Sequence, residues 1–174
     1  KAFTERFYKY VTGGQLQPVL ETLLYLKHET QVWFEITTLL IPDENDSEEE
    51  INLMSQWIID NLGPDVPLHF TAFHPDWKMR DKNNTAPVVL TRSRQIARSN
   101  GLRYVYTGNV HDVAGGSTNC HECGETLIAR DWYVLQQWQL SGQGACSNCG
   151  TTCAGVFESE PGNWGAKRLP IQIG

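Results

Sequence analysis

Two Cys-x-x-Cys-Gly segments, Cys120-His121-Glu122-Cys123-Gly124 and Cys146-Ser147-Asn148-Cys149-Gly150, carry the clearest chemistry in the sequence. Thiolates two residues apart can reach one ion, and the glycine that follows lets the backbone turn tightly and aim amides at the sulfurs. The stretch between the two knuckles has the length and strand-rich character of a ribbon, so Cys120, Cys123, Cys146 and Cys149 are expected to hold tetrahedral zinc. A closed four-thiolate site leaves no position for a substrate and is structural. Cys153, the fifth cysteine, is then spare, and any reaction must be carried upstream.

The elements that would position upstream chemistry can be read from periodicity. Phe3, Phe7, Tyr10 and Val11 recur at helical spacing until Gly13-Gly14, and a second helix carries Val19, Leu20, Leu23, Leu24 and Leu26. Residues 32–41 form a near-continuous apolar, β-branched run that stops at Pro42, which predicts a strand buried on both faces. Ser47 and Glu50 form a capping box ahead of a helix with Ile51, Met54, Ile58 and Leu62 on one face, ended by Gly63-Pro64. Residues 68–73 are the next strand, 76–86 a loop, and Pro87 opens a helix that runs to Asn100-Gly101. Residues 102–107 are the third strand. The order α-β-α-β-α-β with short connections predicts parallel strands in an α/β sheet or part of a barrel over residues 1–112. Residues 113–174 form a second, β-rich region, with short antiparallel strands expected at 126–129, 132–135 and 137–140. The tail around Pro161-Gly162-Asn163-Trp164-Gly165 is expected to pack against a domain, since an unburied Trp would forgo a large gain.

In parallel α/β architectures the chemistry gathers at the carboxyl ends of the strands. Those ends are polar here: Asp43-Glu44-Asn45-Asp46, His74-Pro75-Asp76, and Asn109-Val110-His111-Asp112. Asn45 and Asp46 precede a helix and read as caps. His74 follows a strand with no helix start behind it, so a ligand contact and a satisfied turn residue are equally good readings. His111-Asp112 reads as a structural hydrogen bond. Glu35, on the same strand face as Thr37, Leu39 and Ile41, needs a partner, most simply a cation or hydroxyl in a barrel lumen.

Composition narrows the partners. The formal charge is -6, and residues 1–111 hold eleven Lys or Arg against fourteen Asp or Glu. The ribbon region offers only Arg130, Lys167 and Arg168, too few to displace phosphate counterions, which excludes nucleic acid as a partner. There is no apolar run of membrane-spanning length and no signal-peptide pattern at Lys1-Ala2-Phe3, so a cytoplasmic protein without a membrane partner is expected. The missing initiator Met suggests a piece of something longer.

Three segments carry a family resemblance: Phe34-Glu35-Ile36-Thr37-Thr38-Leu39-Leu40-Ile41-Pro42 with Asn45-Asp46; Val66-Pro67-Leu68-His69-Phe70-Thr71-Ala72-Phe73-His74-Pro75; and Tyr104-Val105-Tyr106-Thr107-Gly108-Asn109-Val110-His111-Asp112. Together with the paired knuckles and Trp164-Gly165-Ala166-Lys167-Arg168, the chain resembles the radical SAM enzymes of the AmmeMemoRadiSam system, which are related to pyruvate formate-lyase activating enzyme. The resemblance implies the C-terminal half of a partial (β/α) TIM-like barrel followed by a zinc ribbon. It also implies an oxidoreductase that reductively cleaves S-adenosylmethionine at a 4Fe-4S cluster to make a 5'-deoxyadenosyl radical for hydrogen abstraction. An electron donor and a protein or small-molecule substrate are then further partners. The family's Cys-x3-Cys-x2-Cys cluster loop is absent, and Cys146, Cys149 and Cys153 have the reverse spacing, so this chain would hold no catalytic residue and be silent alone. By resemblance Leu39 and His74 stand where relatives hold the adenine, and Thr37 stands where activating enzymes have Arg.

Two other readings compete. In one, the ribbon is a protein-binding module on an α/β scaffold. In the other, the cysteines form an Fe-S electron relay with Cys153 as a ligand in place of one knuckle thiolate.

Overall fold

The computed structural model describes residues 1–162. The end of the tail and the Trp164-Gly165-Ala166-Lys167-Arg168 segment therefore lie outside the described residues. The chain divides into two compact units, Lys1–Gly115 and a second beginning at Gly116.

The first unit is built on three parallel strands in the order β1-β2-β3: Ile36–Leu40, Leu68–Ala72 and Val105–Gly108. Helices α2 (Leu16–Glu29), α3 (Glu48–Leu62) and α4 (Pro87–Ser99) supply the apolar partners for one sheet face. Leu40, Leu68, Phe70 and Val105 from the strands meet Ile51, Met54, Ile58, Leu62, Leu90 and Ala97 in one continuous core, against which Leu23 and Leu24 of α2 also pack. The parallel order follows from each strand being followed by a helix that must return over the sheet.

The first strand differs from the sequence reading in two respects, and the third begins at Val105, not at residue 102. β1 is five residues long and is not buried on both faces: Thr38 and Leu40 are buried, while Thr37 is exposed. Strand length is set by the partner, and β2 begins only at Leu68, the register partner of Ile36. Val32 and Trp33, apolar but upstream of that pairing, are exposed.

The amino-terminal helix also departs from simple 3.6 periodicity. A short α1 (Glu5–Phe7) passes into a π-helical turn over Tyr8–Thr12, closed by Gly13 at φ 69°. The wider turn buries Phe7 and Tyr8 and leaves Tyr10 exposed. Phe7 and Tyr8 join Ile41 and Phe73, the residues just beyond β1 and β2, in a second apolar cluster.

Ser47 caps α3 by accepting from the Glu50 amide at 3.2 Å, but the box is not reciprocal. Glu50 instead accepts the Phe3 N–H at 2.6 Å, across 47 residues of sequence. Asn45 is not a helix cap. Its buried side chain accepts from the Ile41 amide at 2.7 Å and donates to the carbonyls of Leu39 and Lys1, pinning the turn after β1. Asp112 accepts from the Thr107 hydroxyl and the Gly115 amide, both at 2.9 Å, at the start of the short helix α5 (Val113–Gly116).

The second unit holds a three-stranded antiparallel sheet, β4 (Thr118–Asn119), β5 (Thr126–Asp131) and β6 (Val134–Trp138), in that order. The two strands expected at 132–135 and 137–140 are largely one. β5 and β6 form a hairpin that turns at Trp132-Tyr133, with Trp132 at φ 52°, and a bulge lies opposite Ala129 and Arg130. Among the described residues no helix is long and apolar enough to cross a membrane.

Candidate functional site

The two knuckles fold alike. In each, the first cysteine amide donates to the carbonyl five residues on, Cys120 to Glu125 at 2.7 Å and Cys146 to Thr151 at 2.8 Å. In each, the glycine amide donates back to the first cysteine carbonyl at 2.9 Å, with φ 77° at both Gly124 and Gly150. A Cβ at either glycine would meet nothing within 4 Å, so the left-handed backbone, not crowding, requires the residue type.

β5 and β6 bring the knuckles together, with Leu140 paired to Cys146 just beyond β6. All four knuckle sulfurs lie within 4.8 Å of one another. Cys120 Sγ is 3.6 Å from Cys149 Sγ, and Cys123 Sγ is 3.7 Å from Cys146 Sγ. Four thiolates about 2.3 Å from a tetrahedral zinc would stand about 3.8 Å apart, so the cage has the size of one ion. An Fe-S cluster spreads four thiolates over two or four irons and needs a wider arrangement. All five cysteines are free of disulfides, and the Cys153 sulfur is outside the four-membered group. The cage can therefore hold a metal ion such as zinc through Cys120, Cys123, Cys146 and Cys149.

The four sulfurs are not equivalent. Cys120 and Cys146 are buried, while Cys123 and Cys149 are exposed. Burial pushes the Cys120 thiol up to about 11. The Thr151 hydroxyl, 3.3 Å from Cys149 Sγ, and the Thr151 amide draw Cys149 down to about 6. Asn148 adds a contact from its amide nitrogen to Cys123 Sγ at 3.6 Å.

In the first unit the sheet face opposite the helices carries Thr37, Leu39, His69, Thr71, Tyr106 and Gly108. Thr37 and Leu39 thus share a face, as the strand period requires. Leu39 packs against the apolar cluster beyond the strand ends, whereas Thr37 is exposed. His74 lies two residues past the end of β2, exposed, with Nδ1 3.1 Å from Asp76 Oδ2. Among the described residues Glu35 meets a histidine and an indole. Glu35 lies just before β1, and its Oε2 is 2.6 Å from His69 Nε2 while Oε1 accepts from Trp33 Nε1 at 3.2 Å. His69 is a residue that sequence reasoning missed. Its signal was the register Thr37↔His69↔Tyr106, which only strand pairing reveals.

No family model matches the chain, and no solved structure matches it. It is 41% identical over 124 residues to the uncharacterized protein MJ0808 of Methanocaldococcus jannaschii. That match covers 71% of this chain and 37% of the relative, so the chain aligns with little more than a third of that protein's length.

Proposed function

We propose that the chain is the C-terminal part of a radical SAM enzyme of the activating-enzyme type, its first unit the second half of a partial (β/α) barrel and its second a structural zinc ribbon. The observation that carries this reading is the two-sided sheet. Three parallel strands bury one face under helices and leave the other polar and partly open, as a barrel segment must if that other face lines a lumen. The strand ends carry the segments on which the family resemblance rests.

The residues of this chain do not supply a cluster site. All its cysteines stand at position 120 or later, and four of them form the one-ion cage. The cluster that cleaves S-adenosylmethionine would belong to the preceding part of the parent protein. What this chain would contribute is the wall at the cofactor: Leu39 as an apolar contact, His74 as an imidazole against the adenine, and the Thr37 side chain in the lumen. Substrate and electron donor would be partners of the parent.

In the cluster-loaded parent, His74→Ala is expected to weaken S-adenosylmethionine binding by the loss of about 1 kcal/mol, a severalfold change. Equilibrium binding checks it, with Cys120→Ser as the comparison that leaves cosubstrate affinity intact. Unchanged affinity in His74→Ala would remove the histidine from the adenine wall.

The binding-module reading keeps one observation of its own. Trp132, Tyr133 and Val134 stand exposed at the tip of the ribbon hairpin. An immobilised ribbon that retains no protein from the host after Trp132→Ser, yet retains one with Trp132 present, would favour that reading.

A further inference from the structure

The parallel sheet has two edges, and they are not alike. The Tyr104 carbonyl accepts from the Leu68 amide, so the carbonyl of the next residue, Val105, points away from β2 at the outer edge of β3. Arg94 Nε donates to that carbonyl at 2.9 Å, and the same guanidinium reaches the Ala114 carbonyl at 3.2 Å. An edge carbonyl held by a charged side chain is a poor template for another strand. At the other edge the Ile36 amide donates to the Pro67 carbonyl, so the amides and carbonyls of Thr37 and Leu39 face away from β2. Among the described residues β1 pairs with β2 alone, and no partner of the Thr37 amide or carbonyl is found.

The helix that leads into β1 is half used as well. α2 carries Leu16, Val19, Leu20, Leu23 and Leu26 at helical spacing yet buries none of its residues, whereas α3 buries Ile51, Met54, Ile58 and Leu62. Leu23 and Leu24 reach the shared core, while Val19 stays 37% exposed. Crossovers between parallel strands are right-handed, and α3 and α4 carry the sheet from β1 to β3 in one direction over one face. α2 packs on that same face, so the strand from which it would return lies beyond β1, on the side away from β2. Asn45 agrees with that placement. Its Nδ2 donates both to the Leu39 carbonyl on the open edge and to the Lys1 carbonyl, at 3.0 and 2.9 Å. Chain arriving at Lys1 therefore comes in beside the carboxyl end of the open edge, where a strand parallel to β1 would end.

We propose that the open edge of β1 and the apolar stripe of α2 form a docking surface for one further parallel strand, supplied by the part of the parent protein outside these 174 residues, and that the sheet does not grow beyond β3. The occupant presents backbone amides and carbonyls to Thr37 and Leu39 and apolar side chains to Val19 and Leu20. A relative of which only 37% aligns with this chain has length enough to supply such a strand. The surface rests on the reading of the chain as part of a longer protein, and not on radical chemistry.

The test compares the longer parent with the 174-residue chain by hydrogen exchange resolved to single amides. The Thr37 and Leu39 amides are expected to exchange at least about tenfold more slowly in the parent, with the outward Val105 and Thr107 amides of β3 unchanged. Val19→Asp should speed Thr37 exchange in the parent and leave it as it is in the chain alone. Equal Thr37 and Leu39 rates in the two proteins, slowing at Val105 and Thr107 instead, or an equal effect of Val19→Asp on both proteins would each overturn the surface. Protection of Thr37 in the chain alone that grows with its concentration would make a second copy the occupant and overturn it too. A parent that cleaves no S-adenosylmethionine can still show the protection, so this inference and the radical reading fail separately.

Discussion

Cys120 and Cys149 belong to one cage, 3.6 Å apart, yet burial holds one thiol high and Thr151 holds the other low. A metal must displace the Cys120 proton, so apparent metal affinity is expected to rise with pH. Assignment of the ligands is separable from that. Native mass spectrometry should show loss of the ion in Cys120→Ser and retention in Cys153→Ser; the reverse pattern would put Cys153 in the cage. Glu50 gives a second residue-scale prediction. Burial raises its pKa, against the opposing effect of the Phe3 amide that it accepts. A carboxyl whose folded pKa exceeds its unfolded one binds more protons when folded, so stability falls as pH rises through the folded pKa. Urea unfolding across about pH 4 to 7 should therefore show a downward contribution in the wild type that Glu50→Gln removes, with the Gln oxygen still accepting from Phe3. A Glu50→Gln protein with the same pH slope would show that another group carries it.

At the scale of elements, the knuckles, the strand–helix alternation and the parallel order were legible because each has a local signature: the Cys-x-x-Cys-Gly spacing, the change of apolar period, the caps and breakers. The limits of β1 were not, because Val32 and Trp33 have strand character but lie outside the register with β2. The π-turn at Tyr8–Thr12 was hidden too, since one extra residue in a helical turn leaves no mark in apolar spacing beyond moving Tyr10 outward. Asn45 was misread because a cap and a buried turn anchor use the same side-chain groups, and only the contacts to Ile41, Leu39 and Lys1 decide between them. Glu35–His69 was invisible for a related reason: the two residues are 34 apart and meet through strand pairing. Within the sheet, Phe70 is fully buried between β1 and β3 and faces the helices. Phe70→Ala should lower the stability of the first unit by about 3–5 kcal/mol, read as a shifted denaturant midpoint. A loss under about 1 kcal/mol would mean that the helices do not close over this face as described.

For the whole molecule, the two units rest on different forces: an apolar core in the first, and in the second a small sheet with a cage for one ion. Removing the metal with a chelator should loosen the knuckles and leave the parallel sheet folded, as hydrogen exchange resolved by segment would show. Simultaneous loss of protection in β1–β3 would contradict that independence. The central claim, that this chain is part of a radical SAM enzyme, is tested most directly by assaying 5'-deoxyadenosine formed from S-adenosylmethionine under reducing, oxygen-free conditions after reconstitution with iron and sulfide. The longer parent is expected to form it and the 174-residue chain to form none. A fully loaded parent that forms none, or cleavage by the chain alone, would contradict the account.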